Sequence, residues 1–224
     1  MSIAYTYTAL LDVLSYRFRL ERDISSGEYS LKNDLEGALS IFDSVNPEDF
    51  GVQAISDTVI ISCRTHEHFE EFLIILKKVF ISFLSKGLFV RGGVAYSRHY
   101  QNGRVTYSHA IAKAYEIESK VAIYPRIMID QNIVDMYNSG AGLPKIFGKG
   151  LLARQNGGCF INILDKDNWS QIYEAANTMY ARDQMSLESD EAAFAKHQWF
   201  QNYLFSSSYA DIEKPKYIES IGLV

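Results

Sequence analysis

A carboxylate at the tip of a hairpin between two apolar strands constrains this chain more than any other feature. The stretch Gly51–Cys63, GVQAISDTVIISC, reads as a strand, a turn at Ser56-Asp57 and a second strand. Thr58–Ile61 is β-branched throughout, which suits a buried strand. A charge held there costs free energy unless something cationic faces it. Asp12 ends another apolar strand, after Tyr7-Thr8-Ala9-Leu10-Leu11. Two strand-end aspartates, 45 residues apart in sequence, could converge on one divalent cation or a pair. The plainer reading makes Asp57 a turn residue and Asp12 a helix N-cap, and spacing leaves both open.

Composition narrows the classes. A chain of 224 residues fits one domain, or one domain with a small extension, and 47% hydrophobic residues supply a substantial core. The net charge of −5 gives no overall basic field for nucleic acid, so phosphate chemistry would fall to local Arg and Lys or to metal. Cys63 and Cys159 lie in no CxxC pair, and Met1–Ser15 lacks a signal-peptide pattern. Both thiols are expected to be reduced core residues of a cytoplasmic protein. Phe69–Phe83 is the most apolar long run, but Glu71, Lys77 and Lys78 interrupt it, so it predicts a core helix and no membrane span.

In chain order, Ile3–Val13 predicts a strand, and Leu14–Asp23, with Arg17, Arg19 and Arg22, begins a helix or forms a loop. Ser25-Ser26-Gly27 is a break, and Leu31–Val45 has helical spacing ended by Pro47. After the hairpin, Thr65 is expected to cap a helix to about Ser85, with Gly87 as its stop. Leu88–Tyr96, LFVRGGVAY, is the next strand, and its Gly92-Gly93 pair implies close approach of another backbone or a ligand. Asn102-Gly103 signals a hairpin, and Ser108 caps a helix from His109 to about Val121. Ala122–Ile129, with Pro125, is expected to be an edge strand, and Asp130 caps a short helix to Tyr137. Ser139–Gly150 reads as a loop, Asn156-Gly157-Gly158 as the turn of another hairpin, and Trp169–Phe205 as two helices.

Up to about Tyr96 the order is β-α-β-β-α-β, so the expected class is α+β with a ferredoxin-like core. Right-handed crossovers place the first and third strands side by side, which would bring Asp12 near Asp57. The whole of 1–224 is expected to be one domain, with the core over about 4–130 and a hairpin and helical extension over about 150–206.

These residues resemble the catalytic domain of class III nucleotidyl cyclases. That family's first motif reads roughly F-x-D-I-x-G-F and its hairpin I-G-D. Here they read Leu10-Leu11-Asp12-Val13-Leu14-Ser15-Tyr16 and Ile55-Ser56-Asp57. Gly93-Val94-Ala95-Tyr96-Ser97 is similar to the next family strand, and Ala114-Tyr115-Glu116-Ile117-Glu118-Ser119 to the end of its following helix. Arg91-Gly92-Gly93 with Tyr124-Pro125-Arg126-Ile127 looks more like a divergent bacterial branch close to the pyrimidine cyclases of Pycsar antiphage systems. The Asn156–Asn162 hairpin and the segment Trp199–Tyr203 also resemble that branch.

The resemblance implies attack of a ribose 3′-hydroxyl on the α-phosphate of an NTP (UTP or CTP), with loss of pyrophosphate at a site holding two Mg²⁺ or Mn²⁺ ions. It implies that Asp12, Asp57 and the Val13 carbonyl hold metal and that the amides of Leu14, Ser15 and Tyr16 hold phosphate. Gln53, four residues before Asp57, falls where the family reads the base, and an amide can donate to and accept from a pyrimidine edge. The family's transition-state Asn and Arg fall on Ala112 and Glu116, neither of which donates to phosphate. Arg91, Lys113 and Arg126 are then the candidate catalytic cations, unless Arg91 and Arg126 merely pair with Glu116 or Glu118. The implied partners are a second copy in a homodimer and a separate effector that senses the cyclic nucleotide, with neither nucleic acid nor membrane. The alternatives are an inactive nucleotide-binding module of the same fold and a palm-type oligonucleotide synthase. A zinc site at His66-Glu67-His68 is not expected, because residues two apart do not share a helical face. His109 and His197 are expected at the surface or in caps, and Lys145 and Lys149 in a solvated loop.

Overall fold

The structure, a computed structural model, describes residues 4–102, 104–140, 146 and 148–219. β1 (Ala4–Val13) alternates Tyr7, Ala9, Leu11 and Val13 on one face with Thr6, Thr8, Leu10 and Asp12 on the other. Most of both faces is buried, so β1 is a central strand. α1 (Tyr16–Ser26) and α2 (Ser30–Leu39), extended by a 3₁₀ turn over Ser40–Ser44, lead to the hairpin of β2 (Phe50–Ile55) and β3 (Thr58–Cys63). α3 (Phe69–Ser85) returns the chain to β4 (Val90–Gln101), which pairs with the short β5 (Thr106–Ser108). α4 (His109–Lys120), β6 (Ile127–Ile129) and α5 (Gln131–Ser139) follow. Then come the hairpin of β7 (Leu152–Gln155) and β8 (Gly158–Ile161), and the helices α6 (Trp169–Leu187) and α7 (Glu191–Ser206).

The sheet runs β2-β3-β1-β4-β6-β8-β7, so its first half has the ferredoxin-like order and the fold is α+β. β1 lies antiparallel to both β3 and β4, with Asp12 opposite Thr58 on one side and Arg91 on the other. α3 buries Phe69, Phe72, Leu76, Val79 and Phe83 in the main core behind Tyr7, Leu11 and Val13. α6 and α7 close the same core: Phe80 stacks on Phe200, and the Trp169 indole donates to the Leu204 carbonyl at 2.9 Å. On the opposite face α4 packs Ala114, Ile111 and Ile117 on Leu10 and Ala95. A methyl group at Gly93 would collide with the Ala114 carbonyl and lie 2.7 Å from Ile117 Cβ, and one at Gly92 would lie 2.6 Å from the Leu10 carbonyl. Backbone approach therefore accounts for both glycines of the RGG strand.

Several boundaries differ from expectation. Leu14–Asp23 is helical from Tyr16, and Asp23 caps α2 by accepting from the Leu31 amide at 2.7 Å. Thr65 does not cap α3. His66 is drawn inward by the Tyr7 hydroxyl and, at 3.3 Å, by that of Tyr96, so the chain turns helical only at Phe69. Ala122–Ile129 is not an edge: β6 lies between β4 and β8 and runs parallel to β4. Pro125 precedes the paired residues and removes no ladder donor from them. His197 is a core residue, packed on Phe89. Gly103 of the Asn102-Gly103 turn, and residues 141–145 and 147 of the glycine loop, lie outside the described residues. No helix among the described residues is long and apolar enough to cross a membrane.

Candidate functional site

Asp12 and Asp57 occupy neighbouring ladder positions where β1 leaves the sheet. The β2–β3 turn is only Ser56-Asp57, and the Val13 amide donates to the Asp57 carbonyl at 2.9 Å. Asp57 thus extends the β3 ladder one residue past the Asp12–Thr58 pair. Register puts Ile55, Thr58, Asp12 and Arg91 in one row across four strands, on the face that carries α4. Ser15 and Ser56, which follow and precede the metal-ligand candidates, both take left-handed backbone, at φ 62° and 58°. Those are conformations that glycine adopts freely and serine does not.

A third acid joins from α4. Glu118 is 3% exposed, and its Oε1 lies 2.7 Å from Arg91 Nη2, close but off the hydrogen-bonding line. Arg91 Nε donates to Asp12 Oδ2 at 3.1 Å, so one guanidinium bridges two acids. Burial, first, and then the fields of Asp12 and Asp57 push the Glu118 carboxyl above its ordinary range, while Arg91 pulls it down. All three carboxylates thus share one neighbourhood with a single bridging guanidinium.

Oxygen donors of this kind suit Mg²⁺ or Mn²⁺. Among the described residues no three His, Cys, Asp or Glu side chains converge tightly enough to hold an ion by themselves. Two carboxylates and a main-chain carbonyl are nevertheless a sufficient protein share for Mg²⁺, which completes its shell with water and substrate phosphate. Three carboxylates against one guanidinium leave an excess of negative charge, which favours a cation there. The residues therefore fit the metal.

The other candidates divide. The Leu14 amide is occupied, donating to the Phe89 carbonyl at 2.9 Å, so Leu14 is corrected as a phosphate-holding amide. The first bonded amide of α1 is that of Arg19, to the Ser15 carbonyl at 3.1 Å, which leaves the amides of Tyr16 to Phe18 at the helix start. Gln53 faces the Asp12 side of the sheet one row along, opposite Ile60, which in turn is opposite Leu10. Lys113 pairs with Asp130 at 3.4 Å, lies five residues before Glu118 and so on another face of α4, and is not brought to the aspartates. Arg126 is also held elsewhere. It donates to Gln155 at 2.9 Å and lies within 5.7 Å of the ring centroids of Tyr124, Phe160 and Trp199. Of the three candidate cations only Arg91 stands at the carboxylates. Ala112 and Glu116 are exposed on α4, and Glu116 pairs with Lys120 at 2.7 Å. Lys149 pairs with Glu70, and Lys145 lies outside the described residues.

No family model matches this chain, and no curated protein does. Solved structures do. A bacterial light-regulated adenylyl cyclase is 11% identical with a TM-score of 0.48, the match covering 80% of this chain and 58% of that one. An adenylate/guanylate cyclase/hydrolase from Silicibacter pomeroyi is 10% identical with a TM-score of 0.46, covering 72% and 96%. The guanylyl cyclase Cya2 is 11% identical with a TM-score of 0.36, covering 72% and 92%. Identities this low leave the side-chain chemistry to be read from this chain's own residues.

Sequence reasoning named Glu118 only as one of two possible partners for Arg91. What selects it is the helical period: Glu118 is four residues from Ala114, on the face packed against Gly93, whereas Glu116 points to solvent.

Proposed function

We propose that this chain is a metal-dependent nucleotidyl cyclase. The observation that supports the reading is the placing of Asp12 and Asp57 at neighbouring positions of adjacent strands, with buried Glu118 in the field of both. In the proposed reaction the ribose 3′-oxygen forms a bond to the α-phosphorus, the bond to pyrophosphate breaks, and the hydroxyl proton leaves to solvent. Mg²⁺ or Mn²⁺, one or two ions, would lower the hydroxyl's pKa and neutralise phosphate charge when bound. Asp12, Asp57 and the Val13 carbonyl would hold it. The α1 amides from Tyr16 onward would orient phosphate oxygens. Arg91 would fix the Asp12 carboxylate and stand beside the transferring phosphate. Gln53 would read the base, with UTP or CTP preferred, and the cyclic product would signal phage infection to a separate effector. A homodimer fits the face of β2 and β3 that α4 leaves open, where Ile55 is 68% exposed.

One observation favours a second reading, a nucleotide-binding module without turnover. Arg91 is already paired with two acids, and Ala112 and Glu116 supply no cation to a pentavalent phosphate. Incubating the pure protein with each NTP and Mn²⁺, followed by mass analysis, separates the readings. A 3′,5′-cyclic product supports the cyclase; metal-dependent NTP binding with no pyrophosphate released supports the module; linear oligonucleotides would mean a synthase. Asp57→Ala should abolish product while the melting temperature stays at or above wild type, because it relieves repulsion at Asp12 and Glu118.

A further inference from the structure

We propose that the cleft behind the β1–α1 turn binds a small aryl phosphate, with Arg22 and Lys196 taking the phosphate and Phe18, Phe89 and Met179 the ring. The cleft, between α1, the α3–β4 turn, α6 and α7, has a volume of about 370 Å³, in the range of small-molecule sites. Its charge runs against that of the molecule: four Arg and Lys side chains line it against two carboxylates, in a chain of net charge −5. Both carboxylates are already engaged. Asp183 is gripped by Arg182 at 2.6 and 2.7 Å, and Asp190 caps α7 by accepting from the Ala193 amide at 2.9 Å. Among the described residues neither Arg22 nor Lys196 is ion-paired.

Two buried groups are also short of partners. The Arg19 side chain is 7% exposed and gives one nitrogen to Asp34 at 2.6 Å, but its Nε and Nη1 have no hydrogen-bond partner. His197, 5% exposed, has none at Nδ1. Those Arg19 and His197 nitrogens have no accessible surface, so an occupant of the cleft meets the Arg22 and Lys196 heads and not them. Phe89 and Met179 give the floor an apolar surface that a bare inorganic ion would not use, and Phe18, at the mouth, is 55% exposed. Arg19 and Arg22 are three residues apart on α1, so both face the cleft. Leu14 and Ser15 line it as well, so occupancy would be felt at the turn that follows Asp12. That last link rests on the function proposed above; the binding itself does not.

Calorimetry with phenyl phosphate on the full chain, in chelator, tests the site. We expect one saturable site, weakened about tenfold or more by Arg22→Glu and by Lys196→Glu, since each replaces a charge-assisted contact with repulsion. Inorganic phosphate should bind more weakly than phenyl phosphate, and an Asp12→Asn/Asp57→Asn variant should bind phenyl phosphate like wild type. Arg19 is left unchanged, because its buried pair with Asp34 makes its variants prone to misfold. Absence of binding, indifference to both charge reversals, equal affinity for inorganic phosphate, or loss in the aspartate variant would each overturn the proposal. A preparation that makes no cyclic product but binds phenyl phosphate as expected would sink the cyclase reading and leave this site standing.

Discussion

Arg91 sits between Asp12 and Glu118 and is about a quarter exposed, so its removal exposes their mutual repulsion and that of Asp57. Arg91→Met should lower stability by about 2 kcal/mol or more, and Mn²⁺ should restore part of it if the carboxylates hold metal. Thermal melts with and without the ion check this; no recovery would count against a metal at these acids. His197 carries a second residue-scale consequence. Burial pulls its imidazole down to about 4 from 6.5, helped by nearby Arg182 and Lys196 and opposed by Asp183. The folded chain therefore refuses a proton that the unfolded chain accepts between those values. Stability should fall as pH drops from 6.5 toward 4, by up to about 3 kcal/mol, and His197→Asn should flatten that slope in denaturant titrations.

At the scale of elements, the two turns that present Asp12 and Asp57 both rest on serines in a glycine conformation. Ser15→Gly and Ser56→Gly should each raise stability by about 1 kcal/mol, read as a shift in the denaturation midpoint at unchanged slope. The same scale shows what the sequence made legible. The β2–β3 hairpin and α3 were readable because a two-residue turn and a 3.6-residue apolar period leave little choice. α1 was not, because its buried side is the polar pair Arg19 and Asp23 while Phe18, Leu20 and Ile24 are exposed, so no apolar period marks it. The start of α3 was misplaced because a long-range pull on His66, absent from any local window, outweighs the Thr65 cap signal. The neighbouring strand positions of Asp12 and Asp57 follow from topology, whereas the separation of Lys113 and Arg126 from them depends on side-chain partners, Asp130 and a cluster of rings, that no spacing encodes.

For the molecule as a whole, α4 covers β1 and β4, and among the described residues no helix covers the β2–β3 part of that face. Ile55 stands out there and Ile60 is only half covered, beside Gln53. Sedimentation should find a dimer, and Ile55→Asp should shift it toward monomer and reduce any cyclase activity in parallel; a wild-type monomer at assay concentrations would contradict the dimer. On the opposite face of the sheet α3, α6 and α7 share one core.

The chain's two tryptophans, Trp169 and Trp199, both belong to those last two helices, one with its indole locked onto Leu204 and the other stacked between Tyr124 and Tyr203. Tryptophan fluorescence will accordingly report on the C-terminal half of this protein. Fraying of the hairpin that carries Asp57 would bring no change at either indole, and a reporter placed on that hairpin is needed to see it.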